Sequence, residues 1–158
     1  MTVPKRERDA DGKPLNARPR DGLGRPLPRG ADGVERIPDD LQLPPEESIV
    51  RAQELLDNGL PFHAHEILEG TWKQAPEPER MLWQGLAQLA VGLTHLLRGN
   101  HVGATSLLRQ GHDRIRGYEV QPPHELDVAG LLRWSEDLLD SLDAGEPPQT
   151  PRVPQLRS

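Results

Sequence analysis

The sequence predicts an all-α domain, and three observations carry that expectation. Apolar side chains recur three and four residues apart through much of 46–144. No segment sustains period-two alternation, and helix start and stop residues punctuate the run. The folding capacity is also concentrated. Residues 44–144 hold 40 hydrophobic residues and all five aromatics (Phe62, Trp72, Trp83, Tyr118 and Trp134), against 12 hydrophobic residues in 1–43. Twelve of the 17 prolines fall in 1–45 or 145–158, where little apolar surface is available to offset the entropy of ordering. The expected organisation is an extended or disordered Pro/Gly/Arg-rich arm over 1–43, a helical domain over 44–144 and a disordered tail over 145–158.

Five helices follow in order. Pro44-Pro45 precede Glu46-Glu47, acidic residues suited to a first helical turn, and Ile49, Ala52, Leu55 and Leu56 supply the apolar face before Asn58-Gly59 stop it. A second helix starts at Pro61 and runs to about Gln74, ahead of Pro76. The third spans roughly Glu79 to Arg98 and stops at Gly99. Its stretch 81–97 carries no formal charge, but Gln, Thr and His interrupt it and it is short for a membrane span, so it reads as a central, surrounded helix. Asn100 caps a fourth helix bearing Val102, Ala104, Leu107, Leu108, Gly111 and Ile115. Asp127 caps a fifth, seamed by Val128, Leu131, Leu138 and Leu142 and ended by Gly145. Leu56, Gly59, Ala64 and Leu68 recur at an offset of 40 as Leu96, Gly99, Ala104 and Leu108. This looks like a degenerate tetratricopeptide-like pattern. It implies two antiparallel helical hairpins with the fifth helix as a C-terminal cap.

Composition excludes several functions. Nineteen Lys+Arg against 25 Asp+Glu leave a formal charge of −6, which argues against a general nucleic-acid binder. The absence of cysteine removes disulfides, thiolate metal sites and Cys nucleophiles. The charged N-terminus shows no secretory pattern, so a cytoplasmic protein without membrane contact is expected. In the arm, Gly12-Lys13-Pro14-Leu15 is echoed by Gly24-Arg25-Pro26-Leu27. That arm is either a solvated linker or a strap lying back through Leu15, Leu23, Leu27, Val34 and Ile37.

Chemistry concentrates on the second and third helices. At about 100° per residue, Phe62, His65, Leu68, Glu69 and Trp72 share one face, expected to point inward. An imidazole and a carboxylate on such a face are costly to bury unless paired. On the third helix, Leu82, Leu86, Leu89, Leu93 and Leu97 form a core stripe, and Gln84, Gln88, Gly92 and His95 lie opposite, with Gly85 beside them. Interior glycines cost about 1 kcal/mol each against alanine, so close approach of another helix is implied there. The second helix is the expected neighbour. It would bring His65 and Glu69 to Gln84, Gln88 and His95. His63, His101, His112 and His124 are expected to be isolated and exposed, with Glu66 and Lys73 on the solvent side.

Phe62-His63-Ala64-His65-Glu66-Ile67-Leu68-Glu69 with Trp72, followed by Gln84 to His95, Arg98-Gly99-Asn100 and Gly103-Ala104, resembles the signature of the domain of unknown function family 309. The resemblance covers about residues 46–116. It implies a small helical domain and, from what has been predicted for family members, metal-dependent hydrolysis. The positions it carries over are His65, Glu66, Glu69, Trp72, Gln84, Gln88 and His95.

Three readings of the stripe stay open. His65, Glu69 and His95 could hold Zn²⁺, Fe²⁺ or Mn²⁺, with Glu66 or Glu69 as general base and Gln84 or Gln88 orienting water. The spacing departs from HExxH, because no second His lies on that turn. Alternatively the same groups form a buried network that only holds the interface, or line a pocket for an organic ligand with Trp72 as a wall. The favoured reading is a module that binds a small molecule, peptide or protein, with a metal-dependent hydrolase as the alternative.

Overall fold

The computed structural model of the protein describes residues 43–158, and the expectations for the arm lie outside the described residues. Five α-helices form: α1 (Pro45–Asp57), α2 (Pro61–Gln74), α3 (Glu77–Leu97), α4 (His101–Ile115) and α5 (Val128–Asp143). Two short 3₁₀ turns, Arg116–Tyr118 and Pro123–Glu125, link α4 to α5. Strands are absent among the described residues.

Local chemistry explains the boundaries. Pro45 and Pro61 sit in the first turns of α1 and α2, where a missing N–H costs nothing. Ala75, held extended by the proline after it, ends α2 (φ −65°, ψ 144°). Asn100 and Asp127 cap α4 and α5 by accepting from the amides of Gly103 (3.0 Å) and Gly130 (3.1 Å). The turns after α1 and α3 repeat each other at the offset of 40. Gly59 and Gly99 take left-handed φ values of +74° and +79°. The amides of Leu60 and Asn100 reach back to the carbonyls of Leu55 and His95, both at 2.8 Å.

Helix α3 is the hub. It packs against both α2 and α4 and buries a wide arc, Leu82, Trp83, Gly85, Leu86, Ala87, Leu89, Ala90, Gly92, Leu93, Thr94 and Leu96, leaving Gln84, Gln88, Val91 and His95 as a half-buried strip. That wide cover suits the absence of charge over 81–97, after Glu77, Glu79 and Arg80 in the first turn. Among the described residues no helix is long and apolar enough to cross a membrane. Leu97, expected in the core stripe, is instead 37% exposed at the helix end, and Val102, read with the apolar positions of the fourth helix, is 83% exposed in its first turn.

The glycine face of α3 meets α4, which corrects the expectation that α2 would cover it. A Cβ on Gly85 would lie 2.6 Å from Ile115 Cγ2 and 3.1 Å from the Gly111 carbonyl oxygen, and one on Gly92 would lie 2.8 Å from Leu108. Gly111 answers from α4, where a Cβ would sit 2.8 Å from the Gly85 carbonyl oxygen. Glycines on both helices let the two backbones approach more closely than any side chain would allow.

The C-terminal segment also departs from expectation. Residues 152–157 are seated on α1 and α5 rather than free. Leu156 is 3% exposed, and its N–H donates to Gln53 Oε1 at 2.8 Å. Trp134 Nε1 donates to the Arg152 carbonyl at 2.8 Å. Composition could not reveal this, because the partners of the segment lie far off in the chain, Gln53 and Trp134 among them.

Overpacking gives a test. Gly111→Ala should cost about 1–3 kcal/mol in urea unfolding, since the new methyl meets backbone that cannot swing aside. Gly117→Ala, with no heavy atom within 4 Å of the added methyl, should stay within about 0.5 kcal/mol. Equal effects at the two positions would refute the close α3–α4 contact.

Candidate functional site

Helix α2 turns a different face inward from the one expected. Its buried residues are Pro61, His63, Ala64, Ile67, Leu68 and Thr71. Phe62, His65, Glu69 and Trp72 are only half-buried. The reason is that α2 has two neighbours. Contact with α1 is fastened by the Ser48 and Thr71 hydroxyls, 2.6 Å apart, and α3 covers another side. Ala64, at 0% exposure, allows the close approach.

His63, expected at the surface, is therefore a core residue at 1% exposure. Glu66 is half-buried rather than on the solvent side.

His65 and Glu69 come together as expected of residues four apart. His65 Nε2 lies 2.9 Å from Glu69 Oε2, with side-chain exposures of 19% and 36%. The other ring nitrogen lies 3.3 Å from the Phe62 carbonyl, and the Phe62 ring centroid is 5.4 Å away. Lys73 Nζ stands 3.8 Å from the second Glu69 oxygen. Burial pushes the His65 pKa below 6.5, outweighing the Glu69 carboxylate and the Phe62 carbonyl, which both pull it up. In the neutral ring only one nitrogen carries a proton, so the shorter contact identifies Nε2–H donating to Glu69.

The third-helix candidates are engaged elsewhere. Asn100 Nδ2 donates to His95 Nδ1 at 3.1 Å while Asn100 Oδ1 caps α4, and a Cβ on Gly103 would lie 3.1 Å from the His95 ring. His95, Asn100 and Gly103 thus build one compact turn between α3 and α4. Burial and then Arg98 lower the His95 pKa. Gln88 bridges to α4, donating to Gln110 at 3.2 Å and accepting from Arg114 Nε at 2.9 Å. Gln84 is half-buried on α3. Among the described residues, no three His, Cys, Asp or Glu side chains are grouped to hold a metal ion. His65 and Glu69 could share an ion from one helix, but His95 does not join them.

Other histidines read as isolated are also paired. His112 Nε2 lies 2.7 Å from Glu136 Oε2. His124 Nε2 lies 2.7 Å from Glu79 Oε1, and its ring is 5.7 Å from that of the buried Trp83. His124 and Glu125 adopt left-handed φ values of 56° and 60°, a conformation costing on the order of 1–2 kcal/mol per non-glycine residue. No sequence signal marks that turn beyond Pro122-Pro123 before it.

The His65 environment sets a pH dependence. As pH falls through 6.5 the unfolded-state imidazole takes up a proton, while the native ring resists until a lower pH. This ring therefore makes no pH-dependent contribution above that range and destabilises the fold on acidification. NMR titration should place the His65 midpoint below 6.5, and Glu69→Gln should lower it further by removing the favourable charge. A wild-type midpoint above 6.5 would contradict burial as the dominant cause, and a midpoint raised by Glu69→Gln would contradict the favourable charge.

Comparison with known proteins agrees with the motif reading. A stretch of 48 residues, 30% of this chain, is 48% identical to "Uncharacterized protein YpuF" of Bacillus subtilis (strain 168). The match spans 28% of that relative's length. No solved structure gives a significant match. Residues 49–107, which include every candidate site residue from His65 to His95, match the family described as domain of unknown function DUF309.

Proposed function

We propose that the domain is a binding module for a small molecule or a partner protein, and that the half-buried polar stripe of α2 is its recognition face. The observation that supports this most is the His65–Glu69 pair at 2.9 Å. These groups have given up much of their hydration, yet among the described residues they fasten no neighbouring helix: their polar contacts, to each other, to Lys73 and to the Phe62 carbonyl, lie within α2. A neutral imidazole held by a carboxylate, beside the Phe62 ring and near the half-buried Trp72, offers a ligand both a polar anchor and apolar contact. The finer architectural reading belongs with this one. The matching turns at Gly59 and Gly99 support two tandem tetratricopeptide-like hairpins closed by α5, an arrangement suited to presenting a helix face.

A metal-dependent hydrolase using His65, Glu69 and His95, with Glu66 or Glu69 as base, is the competing reading. The proximity of one His and one carboxylate on α2 favours it, and the engagement of His95 with Asn100 weighs against it. Elemental analysis of the untagged protein separates the two. The binding-module reading predicts no stoichiometric zinc, iron or manganese, and His65→Ala should mainly lower stability. About one equivalent of metal, lost in His65→Ala while the helical fold persists, would favour the hydrolase.

A further inference from the structure

The C-terminal segment shows what one groove of this protein recognises. Residues 152–157 lie between α1, α5 and the turn at His124, held by four hydrogen bonds to their main chain and four from the Arg152 and Arg157 side chains. Trp134 Nε1 donates to the carbonyl of Arg152 (2.8 Å), Gln53 Nε2 to that of Pro154 (3.1 Å) and the Asp127 amide to that of Leu156 (2.8 Å). The Gln53 side chain completes the pair by accepting from the Leu156 N–H at 2.8 Å. Pro154 and Leu156 are buried while Val153 and Gln155 are exposed, an alternation typical of an extended peptide read on one side.

Both ends of the segment are basic and meet carboxylates. Arg152 reaches Asp137 at 3.3 Å. Arg157 donates to Glu46 at 2.5 Å and, through two nitrogens, to the His124 carbonyl at 3.0 and 2.8 Å. The fork of Arg157 thus holds the left-handed turn in place.

Two features describe how the segment is seated, with Leu156 reaching the hydrophobic core. It is anchored in apolar sockets at Pro154 and Leu156 only, and residues 144–151 before it form no helix. A recess of about 270 Å³ also remains beside Gln155 and Arg157, against Ile49, Val50 and Asp57.

We propose that this groove is a docking site for an extended segment of a partner protein with the pattern basic–x–Pro–x–Leu–basic, and that residues 152–157 occupy it as the intramolecular competitor. A tethered competitor acts at an effective concentration on the order of 1 mM, so a partner must exceed that or engage when the segment lifts away.

The test uses the full-length chain and a fluorescent peptide of the sequence 150–158. Leu156→Glu should release the segment, leave helical circular dichroism intact, and bind the peptide about tenfold or more tighter than the wild type. Adding Gln53→Ala should return binding to the wild-type level, and a scrambled peptide should not bind. Absence of binding by folded Leu156→Glu would overturn the proposal, as would equal binding by both chains. Should that variant unfold, hydrogen exchange on the wild type decides. The Leu156 and Asp127 amides should exchange while α3 stays protected, and exchange only through global unfolding would show that the groove never opens. A concentration-dependent dimer abolished by Leu156→Glu would identify a second copy's segment as the occupant and overturn the partner reading.

Discussion

The close contact between α3 and α4 sets the terms for the rest of the molecule. Gly85 and Gly92 on one helix, and Gly111 on the other, bring two backbones to a separation that a single added methyl would violate. Interior glycines weaken a helix, and the packing they permit offsets that weakness. Once α4 occupies this side of α3, α2 must pack on another. The central helix is then covered over a wide arc by apolar and small residues, with Gln84, Gln88 and His95 left on the half-buried remainder.

That constraint redistributes the polar residues. Gln88 becomes a bridge to Gln110 and Arg114, and His95 becomes part of the turn that Asn100 caps. Much of what looks like catalytic chemistry in the second motif is thereby accounted for by joining two helices. His65 and Glu69 are left on α2, half-buried and paired with each other. The buried position of His63 on the same helix belongs to the core.

What could be read from sequence divides along physical lines. Helix boundaries were legible because their signals are local: a proline in the first turn of α2, Asn100 and Asp127 as caps, glycines past the ends of α1 and α3. The glycines of α3 correctly announced a close neighbour but not its identity. Small residues also line the rest of that helix at Ala87, Ala90 and Thr94, so spacing alone pointed two ways. Gly85 and Gly92 are seven apart, as are Ala104 and Gly111 on α4, and that match was the available clue. The inward face of α2 is the stripe Ala64, Ile67, Leu68 and Thr71, and the aromatics Phe62 and Trp72 draw a sequence reading to the face beside it. The seating of Leu156 and the turn at His124 depend on contacts more than thirty residues apart in the chain, which no local pattern encodes.

The account rests on His65 and His95 serving different parts of the fold, and through-space proton contacts measured by NMR test this most directly. The His95 ring should show contacts to Gly103, the His65 ring to Phe62 and Glu69, and the α-protons of Gly85 to those of Gly111. A contact between the His65 and His95 rings would contradict the account and restore a site shared between α2 and α3.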